Sequence, residues 1–276
     1  MTRRGFTLIE LLVAIVVAGI LGVALTRLLV NDSRFVERQD AMLSSRHTSR
    51  TAMNWVVTEL RMVSNDGLVA AASDSVTVQV PFAFVMTCGR VGGLQIMSRL
   101  PVDSLSYASV TSPGLAWRRL DGSFRFVPNV GIASSTDSST CLADSIRVIP
   151  GGALLAISGV SSGWPTEPPS ARVGYLYQTV TYRFAASVDL PGRVGLWRRA
   201  GTAAAEELVA PFDAGAGFGF LVGSGFAVQS TPPGNLATVR GLEVRFLGAS
   251  EQTPRNASGA QIFDLTTQVR FRNRPS

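Results

Sequence analysis

The chain has 276 residues, 46% of them hydrophobic, with a mean hydropathy of +0.25 and a formal net charge of +6. These values fit one globular domain with a sizeable core plus a single membrane segment. All 25 basic residues are arginine, so the pI of about 10.3 reflects residue usage more than a nucleic-acid footprint.

In chain order, Arg3 and Arg4 precede Gly5-Phe6-Thr7-Leu8-Ile9-Glu10. From Leu11 to Leu25 there is no charged residue, and polarity returns at Arg27 and Asp32. A positive cluster ahead of an apolar run directs membrane targeting with the N-terminus on the cytoplasmic side. No small-residue cleavage site follows the run; the candidate cut, after Gly5, precedes it. Glu10 sits inside the apolar stretch, where an ionised carboxylate costs about 2–3 kcal/mol and calls for a specific partner. A cut after Gly5 creates an amine on Phe6 at i, i+4 spacing from Glu10, placed to neutralise it within one chain or between neighbours.

No proline occurs before Pro81, which permits one helix from Phe6 to about Ser64, roughly 85–90 Å long. Residues 6–30 form its membrane half and 31–64 its amphipathic half. In the latter, Phe35, Met42, Ser49, Ala52, Val56, Leu60 and Val63 make one stripe, while Arg34, Arg38, Arg46, Arg50 and Glu59 fall mostly elsewhere. His47, the sole histidine, is expected on the wet face. Asn65-Asp66-Gly67 supplies the turn that ends the helix.

Residues 65–276 read as one β-rich head with Gly/Pro/Ser loops and no internal repeat. Ser75 to Val80 alternates at period two, with Pro81 closing the strand or marking an edge. Leu115–Leu120 and Ser123–Val127 flank Asp121-Gly122, a strong hairpin signal. Asp144–Ile149 pairs with Ala153–Ser158 across Pro150-Gly151-Gly152, and Ser161–Ser170 is a proline-rich loop. Strands are expected at Val173–Phe184, Gly195–Arg199, Phe218–Val222, Leu236–Phe246 and Asp264–Arg272. The fold class is thus α+β. Cys88 and Cys141 are the only cysteines. Outside the cytoplasm a disulfide between them is expected, closing a loop worth about 4 kcal/mol, with two buried free thiols as the alternative.

Catalytic chemistry has little support. One histidine on a membrane-proximal helix gives no Ser-His-Asp triad, so no enzyme is expected. Asp213 to Gly219 is glycine-rich but lacks a P-loop lysine, and Asp137 and Asp144 near Cys141 do not make a calcium cage, so neither cofactor nor metal is expected. Asn256-Ala257-Ser258 is a sequon of the kind chance supplies. Trp117-Arg118-Arg119 and Trp197-Arg198-Arg199 repeat a pattern that stacks bases and holds phosphates in single-strand binders. On a strand, however, Trp and the second Arg share one face, and the favoured reading is a tryptophan covered by an arginine stem with the other side wet. Nucleic acid is therefore not the expected partner; contact through Arg118, Arg119, Arg198 and Arg199 is the lesser reading.

Gly5-Phe6-Thr7-Leu8-Ile9-Glu10-Leu11-Leu12-Val13-Ala14 resembles the class III signal of type IV pilins and type II secretion pseudopilins. The resemblance implies a leader of residues 1–5 removed after Gly5 by a prepilin peptidase, N-methylation of Phe6, and Glu10 as the acid that aligns subunits in a filament. Its implied partners are other pilins or pseudopilins, the peptidase and the inner membrane, which the chain crosses once. A second resemblance covers Val180 to Phe184, Gly195 to Arg199, Glu207-Leu208-Val209 and Phe271-Arg272-Asn273. These resemble J-type minor pseudopilins and W-type minor pilins, and imply a subunit that acts in initiation or at the tip. An adhesive or DNA-binding tip protein on the same scaffold is the alternative.

Overall fold

Helix α1 runs unbroken from Leu8 to Leu60, about 80 Å at 1.5 Å per residue. The computed structural model describes residues 8–103, 110, 112–118, 124–143, 152–160, 173–255 and 257–271. The helix stops short of Ser64 because its last turn tightens. Met62 N–H donates to the Glu59 carbonyl (3.0 Å) and Val63 N–H to that of Leu60 (3.2 Å), both at three-residue spacing. Only its C-terminal end is covered: Ser45, Thr48, Ser49, Ala52, Val56, Val57 and Leu60 are buried. Phe35 is 60% exposed, so the apolar stripe of the amphipathic half extends below the head.

Small residues on α1 let it approach the sheet closely. The sheet's strands are β1 (Leu68–Ala71), β2 (Ser75–Val91), β3 (Leu94–Arg99), β4 (Gly114–Arg118), β5 (Phe124–Val127), β6 (Gly131–Ser135) and β7 (Ala153–Ser158). The remainder are β8 (Val173–Ala186), β9 (Val194–Ala200), β10 (Glu206–Phe212), β11 (Gly217–Val222), β12 (Ala227–Gln229), β13 (Val239–Ala249) and β14 (Ile262–Arg270). A short helix α2 (Ser139–Ala143) follows β6. Gly248 of β13 lies under α1, where a Cβ would overlap the Ser45 carbonyl and the Ser49 hydroxyl. Ser49 Oγ accepts from the Gly248 N–H at 2.9 Å and lies 3.2 Å from the carbonyls of both Phe246 and Phe263.

The strands pair antiparallel in the order β12-β11-β13-β10-β9-β8-β2-β3-β7-β6, with β14 beside β13, β1 beside β2, and β4 between β8 and β5. Two strands, β2 and β8, run the length of the head and pair from Ser75↔Arg183 to Met86↔Val173. At one end, Ala52, Val56 and Leu60 of α1 share a core with Val76, Val78, Val80, Val180, Tyr182, Phe184, Phe218, Leu242 and Phe246. At the other, Val85, Met97, Leu115, Trp117, Leu155, Ile157 and Leu176 form a separate core.

Several sequence expectations need correction. Of the two readings of Pro81, closing the strand fails, since β2 continues to Val91, and marking an edge holds. Gln79 N–H points away from β8 to the Gly67 carbonyl (2.8 Å), so Pro81, two residues on, faces the same side. That side is open there, because β1 pairs with residues 76–78 and β3 with 85–91. The missing N–H costs no ladder bond, and a register shift between Pro81 and Ala83 relieves the ring. Both edges of β7 are occupied, by β3 and β6, while its expected partner, 144–149, lies outside the described residues. Leu236–Thr238 is a 3-10 turn ahead of β13 rather than its start. The β4–β5 hairpin forms as expected, pairing Arg118 with Phe124; its tip and the 161–170 loop lie outside the described residues.

Candidate functional site

Every residue from Leu8 to Val36 is exposed. An 18-residue window here has a mean hydropathy of 2.8 with none of it buried. Ile20 and Leu29 are each 65% exposed. Eighteen helical residues span about 27 Å, close to the hydrocarbon thickness of a bilayer. Thr26 satisfies its hydroxyl inside the helix by donating to the Gly22 carbonyl (2.8 Å), as a lipid environment demands. Glu10 lines a groove on this helix with Ile9, Val13, Ala14, Val17, Ala18 and Leu21. A carboxylate among such neighbours needs a positive partner once water is gone. Gly5 and Phe6 lie outside the described residues.

Where α1 meets the sheet, polar groups fix its seating. Glu59 on α1 receives Arg198 of β9, with Nη2 2.8 Å from Oε1 and Nε 3.4 Å from Oε2. The Tyr182 hydroxyl on β8 donates to Glu59 Oε2 at 2.6 Å. Register explains the convergence, since Tyr182 and Arg198 are direct cross-strand partners. Burial, and then the Glu59 carboxylate, raise the Tyr182 phenol well above its ordinary value. Burial works to lower the Arg198 guanidinium, and the bond to Glu59 outweighs it.

Arg198 thus faces the helix and not water, correcting the expectation for the first arginine of its triplet. Trp197 lies on the other face and donates Nε1–H to the Ala186 carbonyl (3.2 Å), and Arg199 is exposed. Trp117 is 2% exposed in the far core, while Arg119 and the Arg118 side chain lie outside the described residues. Trp117 pairs with Gly174 and Trp197 with Arg183 on the same strand, β8. Nine residues of strand separate them by roughly 30 Å. Trp117 and Trp197 therefore do not share one stacking surface.

The Glu59–Arg198 pair escaped sequence reading, although one signal was available. Glu59 borders the buried stripe and has no basic residue three or four positions away to pair with on the helix. The pieces of the second resemblance do come together: Val180–Phe184, Gly195–Arg199 and Glu207–Val209 lie on adjacent strands β8, β9 and β10. Phe271 closes the helix-side core at 9% exposure, while Arg272 and Asn273 lie outside the described residues.

Cys88 and Cys141 are joined in a disulfide that pins α2 to β2. Both are buried with Ile96, Leu154 and Ala156. His47 is exposed on α1, as expected. It lines a cleft of about 470 Å³ with Thr48, Asp189, Glu207 and Glu251. Among the described residues, no group of three or more His, Cys, Asp or Glu side chains is placed to hold a metal ion.

In comparison with known families, residues 1–26 match the prokaryotic N-terminal methylation motif. No curated protein and no solved structure matches the chain. The motif and the bare apolar helix together support a pilin-like protein anchored by one membrane helix, with other pilins and a prepilin peptidase as its general partners.

Proposed function

We propose that this pilin-like chain is a minor pilin or pseudopilin that takes part in the initiation or tip assembly of a type IV pilus or type II secretion pseudopilus. The observation that carries the reading is the asymmetry of α1. Its last sixteen residues belong to the head, and every residue of Leu8–Val36 is exposed. Such a surface is stable in lipid or against other helices, and a filament subunit exchanges one for the other. In the membrane, Arg3 and Arg4 hold the N-terminus on the cytoplasmic side. Cleavage after Gly5 and methylation of Phe6 leave an amine that pairs with Glu10 as the helix leaves lipid for a bundle. A head of this size packs poorly along a shaft, which favours the tip. The work is assembly, with no catalytic residue.

The deciding measurement is the N-terminal sequence and mass of the membrane-extracted protein, with and without a prepilin peptidase. A methylated start at Phe6 is expected; an intact Met1, or a cut beyond Ala24, overturns the reading. Glu10→Ala and Glu10→Val are expected to be cleaved normally and incorporated roughly tenfold less, the loss of one charge pairing in an apolar site. Normal incorporation removes Glu10 from the mechanism.

A further inference from the structure

The two cores of the head divide the sequence cleanly. Among the described residues, every member of the helix-side core lies at or before Val80, or at or after Val180. The three other clusters draw all their members from Phe82 to Tyr177. This middle stretch carries its own disulfide, Cys88–Cys141. It leaves and re-enters the helix-bearing lobe through neighbouring strands, with Val80 opposite Gln178 and Pro81 opposite Tyr177. The register shift in β2 falls at Pro81–Ala83, on the boundary. A buried bond between Ser64 Oγ and the Tyr175 hydroxyl, at 2.7 Å, crosses it. A segment with adjacent ends and a private core is the topology of an insertion.

We propose that residues 82–177 are an inserted folding unit, and that the helix-bearing remainder folds and enters assembly without them. Joining neighbours and facing outward then fall to different lobes. The assembly half of this proposal rests on the function proposed above; the folding half does not.

The geometry specifies the test. Gln79 N–H points away from β8, and the Thr179 carbonyl likewise points to Gly201 N–H, so Val80 and Gln178 form a hydrogen-bonded pair. That is the pair a two-residue Asn-Gly turn closes. A full chain with residues 81–177 replaced by Asn-Gly is expected to give a single cooperative melt in detergent and undiminished cleavage and incorporation. A variant with no cooperative melt overturns the proposal. So does one that folds but stays out of assemblies that full-length protein enters, because the insert is then part of the joining surface. If neither protein is incorporated, the assembly reading fails and folding alone decides the insertion.

Hydrogen exchange on the intact protein provides an independent arm. Reduction of Cys88–Cys141 is expected to raise exchange in β3 and β7 by up to roughly a thousandfold while β9, β11 and β13 keep their protection. An equal rise in both lobes shows one cooperative unit and overturns the proposal.

Discussion

The side chains of Arg198 and Glu59 are 15% and 17% exposed. Two charges so far out of water are tolerated because each satisfies the other, with Tyr182 occupying a further lone pair of the carboxylate. Arg198→Ala leaves Glu59 partly buried without its cation and is expected to cost about 2–3 kcal/mol. For a head of this size that is a drop of roughly 5–10 °C in Tm, read by thermal melts in detergent. Adding Glu59→Ala should recover part of the loss, and the double-mutant cycle measures the coupling. The tyrosines give a second prediction. Burial pushes Tyr177 up to about 12 and raises Tyr175 and Tyr182 further. Folded values above the unfolded value of about 10 mean that the contribution is complete below pH 10 and lost as pH rises toward the folded values. Above about pH 10 and below its folded value, each tyrosine contributes a slope of about 1.4 kcal/mol per pH unit, so three give roughly 4. Melts between about pH 9 and 11.5 should show this fall, and Tyr182→Phe should remove about a third of it.

Elements were legible where one local signal dominated. The β4–β5 hairpin follows from Asp121-Gly122, and α1 from fifty residues without a proline. β6 (Gly131–Ser135) and β10 (Glu206–Phe212) were not, because Gly-Ile-Ala-Ser-Ser carries weak strand propensity and β10 opens on two glutamates and holds Pro211. Their strand character comes from neighbours, β7 for one and β9 for the other. For Pro81, the choice between closing the strand and marking an edge depends on which side of β2 is open, a property of β1 and β3. At the candidate site, the methylation motif of residues 1–26 is contiguous, and a local reading finds it. Glu59–Arg198 spans 139 residues and exists only through strand register. The seating of α1 likewise depends on Gly248, which nothing local marks. Gly248→Ala drives a methyl into the Ser45 carbonyl and Ser49 Oγ. Backbone on one side and a buried hydroxyl on the other leave it no room, so a loss of about 2 kcal/mol or more is expected. Gly225→Ala, with nothing within 4 Å of its added Cβ, is the control and should stay within about 0.5 kcal/mol. Equal melts for the two variants would show that the helix shifts freely over β13.

For the whole molecule, α1 serves two environments, and the boundary between them can be placed. Its first buried residue is Ser45. Below that, Glu37 meets Arg255 at 3.6 Å, but with the two side chains 34% and 82% exposed the pair lies on the rim and contributes little. A chain starting at residue 37 therefore keeps every described contact of the helix-side core and sheds the apolar surface. It is expected to be monomeric without detergent and to melt within about 2 °C of the full chain in detergent. A chain starting at residue 61 loses Ala52, Val56, Val57 and Leu60 from the core and strands Arg198 without Glu59. Four buried apolar side chains and a charge partner exceed the stability margin of an ordinary domain, so this chain should not fold. Size-exclusion chromatography and thermal melts of the two truncations check both outcomes. Should the residue-37 chain melt several degrees lower, the exposed half of α1 supports the head, and membrane insertion would have to compete with that packing.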